Sequence, residues 1–514
     1  MSHDVIIVGA GSAGCAVAER LSRDPACRVL LIEAGPAGRH PFISMPAGVA
    51  KAIASPRFNW HFETVPQRHM DGRRLYVPRG RVLGGSSAIN AMVWVTGHAS
   101  DYDHWEAQGC DGWGWASVKP VLDAVTEVMA PTLPESGNAA YAGFVDAGGQ
   151  MGAPVAEAVD GQAEGFGLYR LNIAGGRRRS AAKAYLALAK GRPNLTLRTG
   201  VHVLGLTGNG TRIDGLRVAK GAGEERLSAG HVVLCAGAIG TPHLLMLSGI
   251  GPADALRSHG IDIRADLPGV GENLHDHLEV KVKHRMTEPL SLWDHAKFPN
   301  NLAVGAQWLL TGTGVGRQQG LEAGAFLRLA NGDGPPDTQL HYINALAFDG
   351  ATAEDRGHGF AIDVTQLQPE SRGRLTLASG DPRDKPLIDP NYLAAEADRV
   401  ALREGLKYLR DLCRQPALAR FAGAELRPGP AVTSDAELDA VVRATADSIY
   451  HPVGTARMGR DALSVTDPET MGVHGVAGLS VADASVMPRI TGGNTNAPSI
   501  VIGALGAEKI AARL

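Results

Sequence analysis

Hydrophobic runs set the first elements. Val5-Ile6-Ile7-Val8 is an unbroken apolar stretch, the pattern of a strand covered on both faces. A glycine-rich turn follows, and then Cys15, Val17, Ala18 and Leu21 recur at helical spacing until Asp24-Pro25. Arg28-Val29-Leu30-Leu31-Ile32-Glu33 reads as a second buried strand, so residues 4–34 form a βαβ unit. From 36 to 115 glycine and proline punctuate the chain and long periodic segments are few. A helix is expected over 118–129, strands over 195–204, 213–219 and 232–237, and a charged helix over 395–413. Arg374-Leu375-Thr376-Leu377 alternates like a strand, and Thr311–Gly316 and Gly332–Pro336 read as loops of a second domain.

At 514 residues the chain exceeds what one core usually serves, because single domains rarely grow beyond roughly 250–300 residues. Glycine is the compositional outlier, with 65 of 514 residues against a usual share of about 7%. Lys and Arg number 50 against 53 Asp and Glu, which gives a net charge of −3 and argues against a nucleic-acid partner. The five cysteines are scattered without a CxxC pair, which fits a reducing compartment and no structural metal. MSHDVIIVGAG enters the first apolar run without a charged leader or cleavage site, and no apolar run reaches 18 residues. The expected location is therefore cytoplasmic, with peripheral attachment at the inner membrane face left open.

Gly9-x-Gly11-x-x-Gly14 lies between a strand and a helix. There its glycines allow the tight turn, the close approach of a pyrophosphate, and helix–strand packing. Glu33 ends the second strand 24 positions after Gly9, where a carboxylate accepts from an adenosine ribose. This spacing indicates a dinucleotide without separating NAD from FAD.

Four further blocks bear on that choice. Gly80-Arg81-Val82-Leu83-Gly84-Gly85-Ser86-Ser87-Ala88-Ile89-Asn90 resembles the first signature of the glucose–methanol–choline (GMC) flavoprotein oxidoreductases, and Gly237 to Gly251 resembles their second. Tyr450-His451-Pro452-Val453-Gly454-Thr455-Ala456-Arg457-Met458-Gly459 is similar to the block with their catalytic histidine. Val481 to Pro488 and Gly493 to Pro498 resemble their C-terminal flavin-site block. Within the family the likeness is to bacterial choline dehydrogenases and alcohol dehydrogenases.

The resemblance implies an α/β chain, α+β overall, in the GMC fold. A Rossmann-like flavin domain would be built from discontinuous segments and joined to a substrate domain of mixed sheet and helices. The implied division is 1–285 mainly for FAD binding, 286–365 as a substrate-domain insertion, and 366–510 returning to the flavin site. FAD would be held by Gly9, Gly11, Ser12, Ala13, Gly14, Glu33 and Ala34. Trp60, Val82, Asn90, Ala91, Met92 and Val93 would pass beside the flavin, with Val203 at the adenine. Asp483 and Ala484 would meet the pyrophosphate and ribityl chain, and Asn494, Thr495 and Asn496 the ring edge. Ile89 stands where some relatives carry the histidine that links FAD covalently, so non-covalent binding is implied. The segment Ala130–Gly137 is shorter than the turn usual in relatives, which implies a more open entrance.

Alcohol oxidation by hydride transfer needs a base for the hydroxyl proton, and a neutral imidazole serves near neutral pH. His451 is the candidate base and Asn494 the amide donor to the developing alkoxide. Relatives carry His or Asn at the position of Asn494. Glu322 and His341 are weaker candidates for the substrate cavity, Glu322 as a carboxylate able to face a quaternary ammonium. Arg177-Arg178-Arg179 reads as a solvated turn, Asp276 and His277 as structural residues without a third metal ligand, and Ser86-Ser87 lacks the setting of a nucleophile. The expected activity is oxidation of a primary alcohol to its aldehyde, with electrons passed to a quinone. An oxidase using oxygen or a choline dehydrogenase are the near alternatives, while a hydroxynitrile lyase and a nucleotide-sensing module are more remote.

Overall fold

The computed structural model describes residues 3–221, 223–330, 332–346 and 355–514. The βαβ unit forms as its pattern requires. Strand His3–Val8 is buried along its apolar run, helix Ser12–Leu21 packs Cys15, Val17, Ala18 and Leu21 inward, and strand Val29–Glu33 lies parallel to the first. Strand Leu195–Thr199 flanks Val29–Glu33, and the end of Gly223–Leu234 flanks His3–Val8, both in parallel. Leu479–Val481 adds a further parallel strand beyond Gly223–Leu234, so the last part of the chain completes the sheet that the first part opens. The early half of Gly223–Leu234 leaves this layer to form an antiparallel ribbon with Arg212–Lys220 and Val203–Asn209. Helices cover the faces. Trp115–Met129 buries Val118, Leu122, Val125 and Met129, one stripe at helical spacing. Asn496–Ala511 packs against Ser12–Leu21 so closely that a Cβ on Gly503 would stand 2.4 Å from the Ala13 carbonyl oxygen.

A second, nine-stranded sheet lies across this unit. Its main path runs Ala422–Arg427, Leu278–Met286, Gly359–Gln366, Thr338–Ile343, Ala323–Leu327, Gly165–Leu171 and Val93–Trp94. The strands are antiparallel apart from Val155–Val159, which pairs in parallel at one edge. They come from before residue 286, from within 286–365 and from beyond it. Alternation assigns the two faces. Leu278, Val280 and Val282 join Leu340, Tyr342, Phe360, Ile362 and Val364 in a core with Leu402, Leu406 and Leu409 of helix Glu396–Arg414. The opposite face carries Glu279, Lys281, His341 and Asp363, which look into the cavity between the two units. The Rossmann-like layer and the mixed sheet-plus-helix unit expected from the sequence are thus both present.

Ala130–Gly137 is pinned to this sheet. Thr132 bridges Leu171, Ser136 Oγ donates to Glu322, and Arg317 pairs with Glu135 at 3.0 Å.

Candidate functional site

One cavity of about 840 Å³ extends from the phosphate loop to His451. Three helices begin at its wall: Ser12–Leu21, Gly237–Leu247 and Asn496–Ala511. Their first turns contain no acidic residue, so their partly positive N-termini offer backbone N–H groups to an anion without competition. Gly9 holds φ +101, and a Cβ there would stand 2.4 Å from the Cys235 carbonyl oxygen. Glu33 accepts from the N–H groups of Ala10 and Gly35 at 3.2 and 2.8 Å, and burial pushes its carboxyl up to about 7. Asp483 ties the Gly237 helix to this end, accepting from Gly237 N, Thr241 Oγ1 and Ser485 N at 2.8, 2.6 and 2.8 Å. Asn496 Oδ1 accepts from Ser12 Oγ at 2.7 Å, while its Nδ2 is buried without a partner among the described residues. A carboxylate at a ribose distance, convergent helix N-termini and an unmet amide donor together fit a dinucleotide.

Gly9, Gly11, Ser12, Ala13, Glu33, Ala34, Trp60, Asn90, Ala91, Met92, Val93, Val203, Asp483, Ala484, Asn494, Thr495 and Asn496 all lie on this wall, as do His341 and His451. Gly14 stands behind it, packing helix on strand, where a Cβ would come 1.9 Å from the Gly9 carbonyl oxygen. Val82 also stands behind it, in a small core with Ile43, Phe58 and Ile89. Glu322 is off the wall as well. Glu322 precedes strand Ala323–Leu327, and its carboxyl is buried against Ser136, away from the reacting end.

At the reacting end a chain of hydrogen bonds fixes the protons. The His277 ring contacts the Leu367 carbonyl through Nε2 at 3.0 Å, and a carbonyl can only accept, so Nε2 carries the hydrogen. Burial holds His277 neutral, with its pKa lowered to about 4. Its Nδ1 is therefore a lone pair, and it accepts from Nδ1–H of His451 at 3.2 Å. That assignment leaves His451 Nε2 as the free base, met by Nδ2 of Asn494 at 3.1 Å. Gln339 orients the amide by donating to Asn494 Oδ1 at 3.3 Å and to the Tyr169 hydroxyl at 3.1 Å. Burial, and after it His277, Arg79 and His341, hold the His451 pKa well below the usual imidazole value.

The backbone around His451 is equally determined. Asp276 accepts from the backbone N–H of His451 at 2.6 Å and of His277 at 2.9 Å, and from Ser448 Oγ and the Tyr392 hydroxyl at 2.5 and 2.7 Å. Arg79 donates to the Tyr450 carbonyl, just before His451, where Tyr450 takes φ +70. The sequence reading assigned Asp276 and His277 a structural use, and the structure puts that use at the candidate base, which both contact. Their adjacency to an alternating strand start was a signal, but the partner lies 174 residues away. The Arg177–Arg179 turn is corrected. Arg178 is 1% exposed and donates to the Ile43 and Asn90 carbonyls and to Asn90 Oδ1, at 2.9, 2.5 and 2.9 Å. It thereby braces a residue of the cavity wall.

Comparison with known proteins agrees with this architecture. The GMC oxidoreductase model matches residues 3–279, and the C-terminal model of the same description matches 369–503. The chain is 41% identical to the oxygen-dependent choline dehydrogenase of Brucella canis, over 100% of this chain and 96% of that protein. It is also 41% identical to the mitochondrial choline dehydrogenase of Homo sapiens, over 99% of this chain and 89% of that one. Among solved structures, pyridoxine 4-oxidase from Mesorbium loti superposes with a TM-score of 0.87 at 32% identity, covering 100% of both chains. A variant of formate oxidase from Aspergillus oryzae RIB40 superposes with a TM-score of 0.91 at 29% identity, covering 99% of this chain and 98% of the other. With the phosphate loop, the returning C-terminal block and the His451–Asn494 pair already in one cavity, these matches show that the chain belongs to the GMC oxidoreductase family.

Proposed function

We propose that this chain binds FAD without a covalent link and oxidises a primary alcohol to the aldehyde. The observation that carries the proposal is the His451 Nε2 lone pair, set beside an amide donor in the cavity that the phosphate loop opens. Bound flavin supplies the acceptor for the carbon-bound hydride. The protein supplies the rest. His451 Nε2 takes the hydroxyl proton, and Asn494 donates to the oxygen as negative charge develops on it. Helix N-termini at Ser12, Gly237 and Asn496 hold the pyrophosphate, and Glu33 accepts from the adenosine ribose. Ile89 lines the wall and offers no nucleophile for a covalent link.

Electrons then pass to a quinone or to oxygen. A relative is named for oxygen dependence, and two structural neighbours are oxidases. Among the described residues no helix is long and apolar enough to cross a membrane.

The test is anaerobic bleaching of the purified yellow protein by a panel of primary alcohols, with peroxide release and dye reduction compared afterwards. His451→Ala should slow bleaching on the order of 10²–10⁴-fold while FAD stays bound. A colourless protein, or near-normal bleaching by His451→Ala, defeats the proposal. Flavin that no alcohol bleaches points instead to a non-redox use of the fold.

A further inference from the structure

The sheet wall of the cavity carries a cluster outside the His451 relay. Lys281 and Asp363 face each other across neighbouring strands, and Asp363 also faces His341 on its other side. Glu279, two residues from Lys281 on the same face, completes the group, and all four residues line the cavity. Gln339, which holds Asn494, is two residues from His341 along one strand. Same-face neighbours along a strand are about 7 Å apart and adjacent strands about 4.8 Å apart, so the cluster lies roughly 7–12 Å from the reacting pair.

Ligand atoms of Glu279, His341 and Asp363 lie within 4.8 Å of one another, which invites a metal ion. The place is already taken. Lys281 Nζ sits 2.6 Å from Glu279 Oε1 and 3.6 Å from Asp363 Oδ2. Its side chain is 34% exposed against 8% and 3% for the two carboxyls, so the ammonium is what a ligand meets first. An ammonium has three donors and only the Glu279 contact is at hydrogen-bond distance, which leaves N–H groups for the cavity. Two buried polar atoms are unmet as well. Asp363 Oδ1 and His341 Nδ1 are buried without a hydrogen-bond partner among the described residues, and both side chains are more than nine-tenths buried.

The charges in the cluster are balanced. Burial and the nearby Asp363 carboxyl push Glu279 up to about 8, so at neutral pH the two hydrogen-bonded carboxyls share a proton and the charge they keep offsets Lys281. Burial lowers His341 to about 4, so it adds no charge. A neutral group that both accepts and donates matches the free Lys281 N–H groups beside these two unmet atoms. A trimethylammonium has no N–H and would stand against the Lys281 ammonium. A carboxylate would add a negative charge to a balanced, largely buried group.

We propose that Lys281, Asp363 and His341 form a subsite for a second hydroxyl group, so that the substrate is a diol or polyol rather than a choline-like cation or a hydroxy acid. This inference rests on the alcohol-oxidation reading of His451 and specifies its substrate.

The test is steady-state oxidation by the holoenzyme, with a dye acceptor, of 1,5-pentanediol, 1-pentanol, choline and 5-hydroxypentanoate. The diol should exceed each of the others in kcat/KM by about 10-fold or more, the share expected of a hydrogen bond to a charged group. Lys281→Met and the near-isosteric Asp363→Asn should each reduce the diol-to-pentanol ratio by about 10-fold, mainly through KM, with flavin absorbance confirming a folded enzyme. A diol no better than pentanol, a preference for choline or the hydroxy acid, or an unchanged ratio in a flavin-retaining variant overturns the subsite. If pentanol bleaches the flavin but the diol has no advantage, only the subsite fails. If no alcohol bleaches it, the oxidation reading fails first.

Discussion

His277 touches neither the phosphate loop nor the Asn494 amide, yet the relay makes it decide which nitrogen of His451 is basic. His277→Leu removes the acceptor of His451 Nδ1–H while roughly preserving volume. The ring then has two options. It can keep a buried, unsatisfied N–H, which costs about 1–3 kcal/mol. Alternatively it can move the hydrogen to Nε2, where it opposes the Asn494 amide and abolishes the base. At about 1.4 kcal/mol per tenfold, the loss of the competent tautomer corresponds to a fall in the reductive rate of about 5- to 150-fold. His277 also helps to depress the His451 pKa, so the acid limb of the kcat/KM profile should move to higher pH in the variant. The assay is stopped-flow anaerobic reduction across pH 5–9, normalised to bound flavin. His277→Gln keeps an acceptor oxygen within reach and should recover most of the rate. Equal slowing by His277→Gln and His277→Leu, or no slowing by either, would show that the relay does not set the tautomer.

Other consequences can be checked independently. Because burial keeps His451 neutral well below the ordinary imidazole range, kcat/KM of the wild type should stay level from pH 8 to pH 6 with no break at 6.5. A clear loss centred on 6.5 would place the base in water. Gly14→Ala should destabilise the protein by about 1–3 kcal/mol and reduce flavin content, since the new methyl meets the Gly9 carbonyl oxygen at 1.9 Å; a melting curve and the flavin-to-protein absorbance ratio decide this. Glu33 has a native pKa near 7, above its unfolded value near 4.5, so the folded chain holds the extra proton and loses stability as pH rises between them. Glu33→Gln removes that slope. In flavin-free protein its stability relative to wild type should therefore improve from pH 5 to pH 8 by up to about 3 kcal/mol, read from denaturant curves, while its affinity for FAD falls.

Local pattern carried the flavin half of the molecule. Val5–Val8, the three glycines and Glu33 lie within one short segment, and everything that defines their role is close in sequence. The proposed catalytic pair was legible for another reason. His451 and Asn494 lie in blocks whose resemblance to the family is dense. What stayed hidden depends on pairing across long separations. Strand Leu278–Met286 meets Gly359–Gln366 about 80 positions later, and only that register sets Lys281 opposite Asp363. Asp276 and His277 looked ordinary because their partner, His451, belongs to a distant turn. Arg178 looked solvated because three consecutive arginines suggest a water-facing turn, yet the middle residue points inward, with Ile43 and Asn90 as partners. Glu322 shows the converse: it stands just before strand Ala323–Leu327, outside the alternation that sets Gly324 opposite His341, and its carboxyl meets Ser136 instead.

The packing of Asn496–Ala511 on Ser12–Leu21 also determines when the cofactor can be captured. Ser12 Oγ finds its acceptor on Asn496, and Leu479–Val481 completes the sheet edge beside Gly223–Leu234. A nascent chain therefore carries its phosphate loop exposed and unfinished until some 480 further residues have been made, on the order of a minute at ordinary elongation rates. Through that interval Val5–Val8 and Val29–Ile32 have only part of their final cover. Any helper that shields hydrophobic nascent segments should engage this chain early, and shortening it by its last helix should abolish flavin capture even though the whole phosphate loop remains.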